Sequence, residues 1–250
     1  MASTPRILLN CDMGESFGAW KMGDDAHAIP LVDQANLACG FHASDPLTMQ
    51  RSVALALQHG VSIGAHPAYP DLVGFGRRSM QCSPEEVKAF VLYQIGALDA
   101  FCRAAGSQVQ YVKPHGALYN DMVRNDELMT AVLEACAAYR KDLPMMVLAK
   151  TDNSREFRLA EAAGVPVLRE AFADRAYLPD GQLAPRSKVG AVHHDPERIL
   201  SQAVAIARGD VFPGFDGQDM ELQADSLCVH GDNAESLAVL RRLRAALDAA

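Results

Sequence analysis

Residues Ile7–Glu15 read Ile-Leu-Leu-Asn-Cys-Asp-Met-Gly-Glu, a short apolar run that turns polar at its end. The apolar part is typical of a buried strand, and Asp12 and Glu15 follow it on either side of Gly14. In parallel α/β proteins the functional site lies at the carboxyl ends of the strands. The segment therefore predicts a first strand that delivers two carboxylates to such a site.

The same plan recurs along the chain, where apolar segments alternate with segments of helical pattern. Six further segments have the composition of strands, and they are Leu31–Cys39, Val61–Ala65, Val109–Val112, Met145–Ala149, Val165–Leu168 and Ser226–Val229. Helix starts lie between them, such as the capping box at Ser83–Glu86 and the pair Asp195-Pro196. Strand–helix alternation predicts a parallel sheet. We expect a TIM-like (β/α) barrel, seven-stranded or distorted, and a doubly wound open sheet is the alternative.

Composition excludes several classes of protein. The chain has 250 residues, of which 49% are hydrophobic, so we expect one domain over residues 1–250. The net charge of −8 and the absence of any segment dense in Lys or Arg argue against a nucleic-acid partner. No run approaches the roughly 18 apolar residues of a membrane span, and the N-terminus lacks a signal core, so we expect a cytoplasmic protein without membrane contact. The six cysteines form no Cys-x-x-Cys pair and are interpreted as buried, reduced thiols.

Polar side chains follow nearly every predicted strand. They are Asp12, Glu15, His42, Asp45, His66, Lys113, His115, Lys150, Glu170, Asp174, Arg175, His230 and Asp232. Each alone has a structural explanation, and Asp45, for example, is typical of a helix cap. In a barrel, however, the carboxyl ends of all strands meet at one mouth. We therefore interpret the set as a functional site.

Two chemistries fit these residue types. In the first, a divalent metal is held by Asp12, His42 and His66, with a further carboxylate as base. In the second, carboxylates and imidazoles act as general acid and base without a metal, and Lys113 or arginines stabilise negative charge. The sequence contains neither His-x-x-x-His nor His-Glu-x-x-His, so both chemistries stay open.

The glycine-rich segment Gly74–Arg78 allows two interpretations as well. It is either a plain surface loop or a lid in which Arg77 or Arg78 grips a carboxylate or phosphate. It does not lead from a strand into a helix, and no G-x-x-x-x-G-K-[ST] loop occurs elsewhere in the chain. A conventional nucleotide-binding loop is therefore not expected.

Several of these segments together resemble the LamB/YcsF family, the A subunits of bacterial ATP-dependent 5-oxoprolinase. The resemblance is carried by Leu9–Ser16, Asn36–Pro46, Gly64–Pro67, Pro70–Arg78, Val112–Tyr119 and Val229–Asp232. It extends from Ile7 to about Leu247. It implies a TIM-like barrel of the glycoside hydrolase and polysaccharide deacetylase type.

The resemblance also implies a reaction, which is hydrolytic opening of the 5-oxo-L-proline lactam to L-glutamate coupled to ATP hydrolysis. The implied partners are 5-oxoprolinase subunits B and C. ATP would be bound mainly by these partner subunits, in agreement with the missing phosphate-binding loop. A divalent metal is a further candidate cofactor. Two alternatives remain, a stand-alone metal-dependent amide hydrolase or deacetylase and a non-catalytic subunit that presents 5-oxoproline.

The strand-end residues receive roles under this hypothesis. The expected catalytic residues are Asp12, Glu15, His42, His66, Lys113 and His115. The expected substrate-binding residues are Arg77, Arg78, Glu170, His230 and Asp232. The carboxylates would activate water together with an imidazole, while Lys113 and His115 would stabilise charge at the reacting centre.

Overall fold

The computed structural model describes residues 7–229 and 234–248. Its strands are β1 (Leu8–Met13), β2 (Gln34–Ala38), β3 (Ser62–His66), β4 (Tyr111–Val112), β5 (Met145–Leu148), β6 (Val167–Phe172), β7 (Phe212–Pro213), β8 (Asp219–Met220) and β9 (Ser226–Cys228). Strands β1 to β6 and β9 are parallel and close into a barrel, because β9 pairs with both β6 and β1. Strands β7 and β8 form a separate antiparallel ribbon. The predicted seven-stranded TIM-like barrel is thus confirmed.

Helices surround this barrel. They are α1 (Asp25–Ala28), α2 (Pro46–Gln58), α3 (Pro84–Ala104), α4 (Gly116–Arg124), α5 (Asp126–Tyr139), α6 (Ser154–Ala163), α7 (Pro196–Arg208) and α8 (Ala234–Asp248), with a 3-10 turn at Ile29–Leu31. Within the described ranges no helix combines the length and the apolarity that crossing a bilayer requires.

Helix boundaries follow the capping signals in the sequence. Ser83 accepts a hydrogen bond from the Glu86 N–H, and the Glu86 carboxylate accepts one from the Ser83 N–H, which is the predicted capping box at the start of α3. Asp45 accepts hydrogen bonds from two N–H groups in the first turn of α2. Helices α6 and α7 end at Gly164 and Gly209 in the left-handed conformation.

Two of the differences from the predicted elements bear on the site. Helix α4 lies where no helix start is recognisable in the sequence, because the residue before it, His115, provides no side-chain cap. Strand β6 does not end at Leu168 but continues to Phe172, so that Glu170 lies inside the strand instead of following it. A buried carboxylate is tolerated there because the Lys113 ammonium lies 2.7 Å from it.

The apolar core lies between the barrel wall and the helices. Leu9, Cys11 and Met13 of β1 belong to this core, whereas the alternate residues Asn10 and Asp12 face the barrel interior. None of the six cysteines, all of which lie in the described ranges, forms a disulfide, and five of them are buried. Because Asn10 and Asp12 face inward, the interior of the barrel is polar at this level, and it forms the floor of the site.

Candidate active site

The ends of the first four barrel strands place acidic, basic and imidazole groups at one mouth. Asp12 lies in β1, His66 is the last residue of β3, and Lys113 follows β4 directly. Glu15 and His115 come from the segments that follow β1 and β4. Parallel strands share one edge for their carboxyl ends, and this brings together residues that are far apart in sequence.

Lys113 is the centre of a buried charge network. Its Nζ lies 2.8 Å from Asp12 Oδ1 and 2.7 Å from Glu170 Oε1, and the lysine side chain is only 3% exposed. Asn10 Oδ1 and Cys228 Sγ each lie 3.3 Å from the same nitrogen. Burial alone would lower the pKa of Lys113, but the adjacent carboxylates outweigh it and raise the pKa well above its ordinary value. Lys113 therefore remains a cation.

The carboxylate of Asp12 is oriented by its neighbours. Its Oδ1 accepts hydrogen bonds from Lys113 Nζ and from Asn36 Nδ2, both at 2.8 Å. Asn36 is itself held, because its Oδ1 accepts a hydrogen bond of 2.7 Å from the buried Tyr111 hydroxyl. The second oxygen, Oδ2, lies 3.3 Å from His66 Nε2. One oxygen of Asp12 is thus bound to the floor while the other faces the imidazoles.

Three buried imidazoles pack against one another at the mouth. The rings of His42 and His115 are stacked, with centroids 3.8 Å apart and planes 5° from parallel. The ring of His66 meets both edge-on, at centroid distances of 5.5 and 4.8 Å. Burial is the main cause that lowers the pKa of both His42 and His115 well below the usual range. These two rings are therefore neutral at pH 7.

Backbone carbonyls fix the tautomers of two rings. A carbonyl oxygen can only accept, so His66 Nδ1–H donates to the Lys113 carbonyl at 2.6 Å and His115 Nε2–H donates to the Phe75 carbonyl at 2.9 Å. The remaining nitrogens, His66 Nε2 and His115 Nδ1, lie 2.9 Å apart. In neutral rings, both of these nitrogens carry lone pairs.

Glu15 completes a group of donors suited to a cation. Its Oε1 lies 3.2 Å from His42 Nε2 and 3.7 Å from His115 Nδ1. One donor atom from each of Glu15, His42, His66 and His115 lies within 4.8 Å of the others, so this group could hold a metal ion. This set shares His42 and His66 with the predicted one of Asp12, His42 and His66, but it contains Glu15 and His115 in place of Asp12.

The glycine-rich segment packs onto the imidazoles. Gly76 has a φ of +61°, and a Cβ at this position would lie 2.8 Å from His42 Cβ and 2.9 Å from His115 Cδ2. The Gly76 carbonyl also accepts a hydrogen bond from the Ala117 N–H in the first turn of α4. Only glycine permits this close approach at this backbone conformation.

The two arginines of this segment have different environments. Arg77 lines a cavity of about 190 Å³ at the mouth, together with Asp12 and His115. Arg78 instead forms an ion pair with Asp71, and Asp71 also accepts a hydrogen bond from the Gly74 N–H. Arg78 therefore stabilises the loop and does not line the cavity.

Two further arginines line the cavity, Arg175 and Arg186. Arg175 is buried, and its guanidinium donates to the carbonyls of Ala184 at 2.7 Å and Ala191 at 3.3 Å. Burial, followed by the charges of Arg186 and Arg77, lowers the pKa of Arg175 to about 10. The guanidinium groups are thus close enough to repel one another, and they make one wall of the cavity positive.

The remaining predicted residues occupy other positions. Glu170 is fully buried beneath Lys113, inside the barrel, so it contacts the lysine instead of the cavity. His230 and Asp232 lie outside the described residues. Arg186 was not found by sequence reasoning. The available signal was the turn at Pro179–Gly181, which predicts the hairpin that brings Arg186 back over the mouth.

Similar proteins identify the family of this chain. The LamB/YcsF family profile matches residues 7–250. The chain is 76% identical over 243 residues to the third 5-oxoprolinase A subunit of Pseudomonas aeruginosa, covering 97% of each chain. It is 59% identical to the 5-oxoprolinase A subunit of Chromohalobacter salexigens, covering 98% of each. The crystal structure of the lactam utilization protein from Thermus thermophilus matches with a TM-score of 0.91 and 46% identity, covering 98% of this chain and 96% of that one. The chain belongs to the LamB/YcsF family.

Proposed function

We propose that this member of the LamB/YcsF family is the A subunit of an ATP-dependent 5-oxoprolinase, in which it opens the lactam of 5-oxo-L-proline to give L-glutamate. The observation that carries the proposal is the cavity, in which Asp12 and the imidazoles line one side and a wall of arginines the other. Such a cavity combines acid–base groups with cations that bind an anionic substrate. The names of the similar proteins support the same substrate.

Hydrolysis of a lactam requires three events at the reacting bond. Water adds to the carbonyl carbon, the C–N bond breaks, and the nitrogen takes up a proton to leave as an amine. Asp12 is suited to accept the proton of the water, because Lys113 and Asn36 fix one oxygen while Oδ2 faces His66. Once protonated, Asp12 is suited to give this proton to the leaving nitrogen.

An amide carbon is a weak electrophile, and ATP hydrolysis provides a way to activate it. Phosphorylation of the lactam oxygen would make the carbon more reactive towards water. After the C–N bond has broken, hydrolysis of the resulting acyl phosphate would release L-glutamate and inorganic phosphate. We assign this step to partner subunits B and C, because the chain contains no conventional phosphate-binding loop. Barrel residues of this subunit then direct water onto the activated carbon.

The arginine wall gives the substrate its orientation. The substrate carries a carboxylate, and a phosphoryl group on the lactam oxygen would add further negative charge. Arg77 and Arg186 line this cavity with guanidinium groups of the kind that bind such anions bidentately. Arg175, which is held by the Ala184 and Ala191 carbonyls, adds positive charge. This local positive charge overcomes the unfavourable field of a chain whose net charge is −8.

We place the reaction in the cytoplasm, where ATP is available. The six cysteines support this assignment, because none of them forms a disulfide and thiols persist in a reducing compartment.

Reconstitution tests the proposed function. The purified chain is mixed with subunits B and C, 5-oxo-L-proline and ATP, and released glutamate is measured by chromatography. We expect glutamate only when all three subunits and ATP are present. Full glutamate release by subunits B and C alone would refute a catalytic role for this chain. ATP-independent release by this chain alone would indicate a stand-alone amide hydrolase instead.

A further inference from the structure

We propose that Glu15, His66 and His115 bind one divalent transition-metal cation at the barrel mouth, while His42, whose ring is stacked parallel to that of His115, positions the Glu15 carboxylate. The cation is of the class that prefers imidazole nitrogen with a carboxylate oxygen, such as Zn²⁺ or Co²⁺. This inference goes beyond lactam opening, and it is independent of the substrate.

The first support comes from the two nitrogens that face each other. A neutral imidazole has one donor and one acceptor nitrogen. In both rings the donor is used by a backbone carbonyl, at 2.6 Å for His66 and 2.9 Å for His115. Two acceptor nitrogens are therefore left 2.9 Å apart. Their lone pairs repel at this distance, so a positive particle between them is required, either a proton or a metal cation.

The surroundings favour a metal over a shared proton. A proton would leave a charged imidazolium in a buried stack, where the His115 ring lies 3.8 Å from the His42 ring and the nearby Asp12 carboxylate is already paired with Lys113. It would also account for only two of the four clustered donors. A cation brings in Glu15, whose Oε1 lies 3.7 Å from His115 Nδ1 and 3.2 Å from His42 Nε2. The carboxylate then supplies negative charge next to the ion.

The spacing of the donors agrees with a common ion. Two ligands bound at about 2.1 Å lie roughly 3.0–3.4 Å apart for bond angles between 90° and 109°. The separations are 2.9 Å between His66 Nε2 and His115 Nδ1 and 3.7 Å between Glu15 Oε1 and His115 Nδ1, and all donor atoms of the cluster lie within 4.8 Å of one another. Shifts of a few tenths of an ångström at the two contacts to His115 Nδ1 bring them into the range expected for ligands of one ion.

The rings are also held as ligands usually are. Metal-binding histidines nearly always donate their other N–H to a carbonyl or carboxylate, which fixes the ring and its tautomer. His66 and His115 both meet this condition. Gly76 packs against the rings of the stack, so that little space is left for them to rotate. The site is consequently formed before the ion arrives.

Metal binding by the purified full-length chain tests this proposal. The chain is stripped with a chelator, and Zn²⁺ or Co²⁺ alone is added in calorimetric titrations, with the visible spectrum of bound Co²⁺ as a second readout. We expect one cation per chain. Affinity should fall at least about tenfold in His115→Ala and in the milder variant Glu15→Gln. His27→Ala is the matched control, because His27 is exposed and outside the cluster, and it should bind like wild type.

Circular dichroism of each variant establishes that it is folded, and Glu15→Gln keeps the test valid if His115→Ala does not fold. Absence of stoichiometric binding to the wild-type chain would overturn the proposal and leave a shared proton as the explanation. Equal affinity in wild type and Glu15→Gln would overturn the assigned ligands. The titrations contain no 5-oxoproline, ATP or partner subunit, so their failure is distinct from failure of the proposed reaction.

Discussion

Replacement of Lys113 by Met should cost folding stability as well as activity. Methionine is similar in length to lysine but carries no charge, so the change removes the ammonium and little volume. Nζ lies 2.8 Å from Asp12 Oδ1 and 2.7 Å from Glu170 Oε1, and Glu170 is fully buried. The variant therefore leaves two carboxylates close together, one of them without access to water.

The expected loss can be stated from measurements on buried ion pairs in other proteins. Removal of one partner of a buried pair costs about 3–5 kcal/mol, because the remaining charge is desolvated without compensation. In a domain of this size each kcal/mol lowers the Tm by about 2–4 °C, so we expect a decrease of roughly 6–20 °C. Replacement of a surface lysine, by comparison, would change the unfolding free energy by about 1 kcal/mol or less.

Urea unfolding, followed by circular dichroism, measures this loss in four proteins. They are the wild type, Lys113→Met, Glu170→Gln and the double variant. Because Glu170→Gln removes the buried charge that Lys113 neutralises, it should be destabilising in the wild-type background and stabilising in the Lys113→Met background. A double-mutant cycle of this kind separates the charge pairing from simple changes in packing.

Two results would refute this reasoning. One is a Lys113→Met variant whose unfolding free energy is within about 1 kcal/mol of the wild type, which is the range of an exposed pair. The other is additivity of the two substitutions, since residues in contact are expected to couple. Either result would mean that the ammonium and the carboxylate do not compensate each other in the folded protein.

Three further predictions concern the loop, the arginine wall and acid stability. Gly76→Ala should reduce glutamate release by the reconstituted complex, because its Cβ would displace two imidazoles, whereas Gly60→Ala, also at positive φ but without neighbours within 4 Å, should lose only stability. Arg175→Gln should raise the KM for 5-oxo-L-proline, while Arg242→Gln, in an exposed ion pair with Glu197 outside the cavity, should leave this KM unchanged. Burial alone would raise the pKa of Asp99, but hydrogen bonds from a tyrosine, a backbone N–H and an arginine lower it. The ionised Asp99 therefore stabilises the fold fully above the ordinary aspartate pKa of about 3.9, and this stabilisation is lost as the pH falls through the lower pKa of the folded protein. In Asp99→Asn, the unfolding free energy measured against pH should consequently fall less steeply at acid pH than in the wild type.

The features of this site that depend on strand order could be predicted from the sequence. Parallel strands carry their ends to one edge, so apolar runs followed by Asp12, His66 and Lys113 were sufficient to bring these residues together. The end of β6 was predicted wrongly because a carboxylate inside a strand normally marks its end. Glu170 is tolerated inside β6 because the Lys113 ammonium neutralises its charge. Lys113 comes from a distant segment, so the sequence around Glu170 does not reveal this partner.

Other features depend on contacts that no local pattern encodes. Arg77 and Arg78 are adjacent and equivalent in sequence, and only the position of Asp71 decides which of them is engaged in the loop. The tautomer of His115 is set by the carbonyl of Phe75, a residue 40 positions away. The facing lone pairs therefore became visible only once the backbone carbonyls were placed.

Glutamate release by the reconstituted complex that carries Asp12→Asn tests the catalytic role of this chain most directly. Asparagine keeps the shape of the side chain, but its amide cannot accept the proton of the attacking water. With subunits B and C, ATP and 5-oxo-L-proline present, we expect glutamate release to fall by about 10²–10⁴-fold while the circular dichroism spectrum remains that of the wild type. Release at the wild-type rate by the folded variant would contradict the assignment of lactam opening to this barrel mouth.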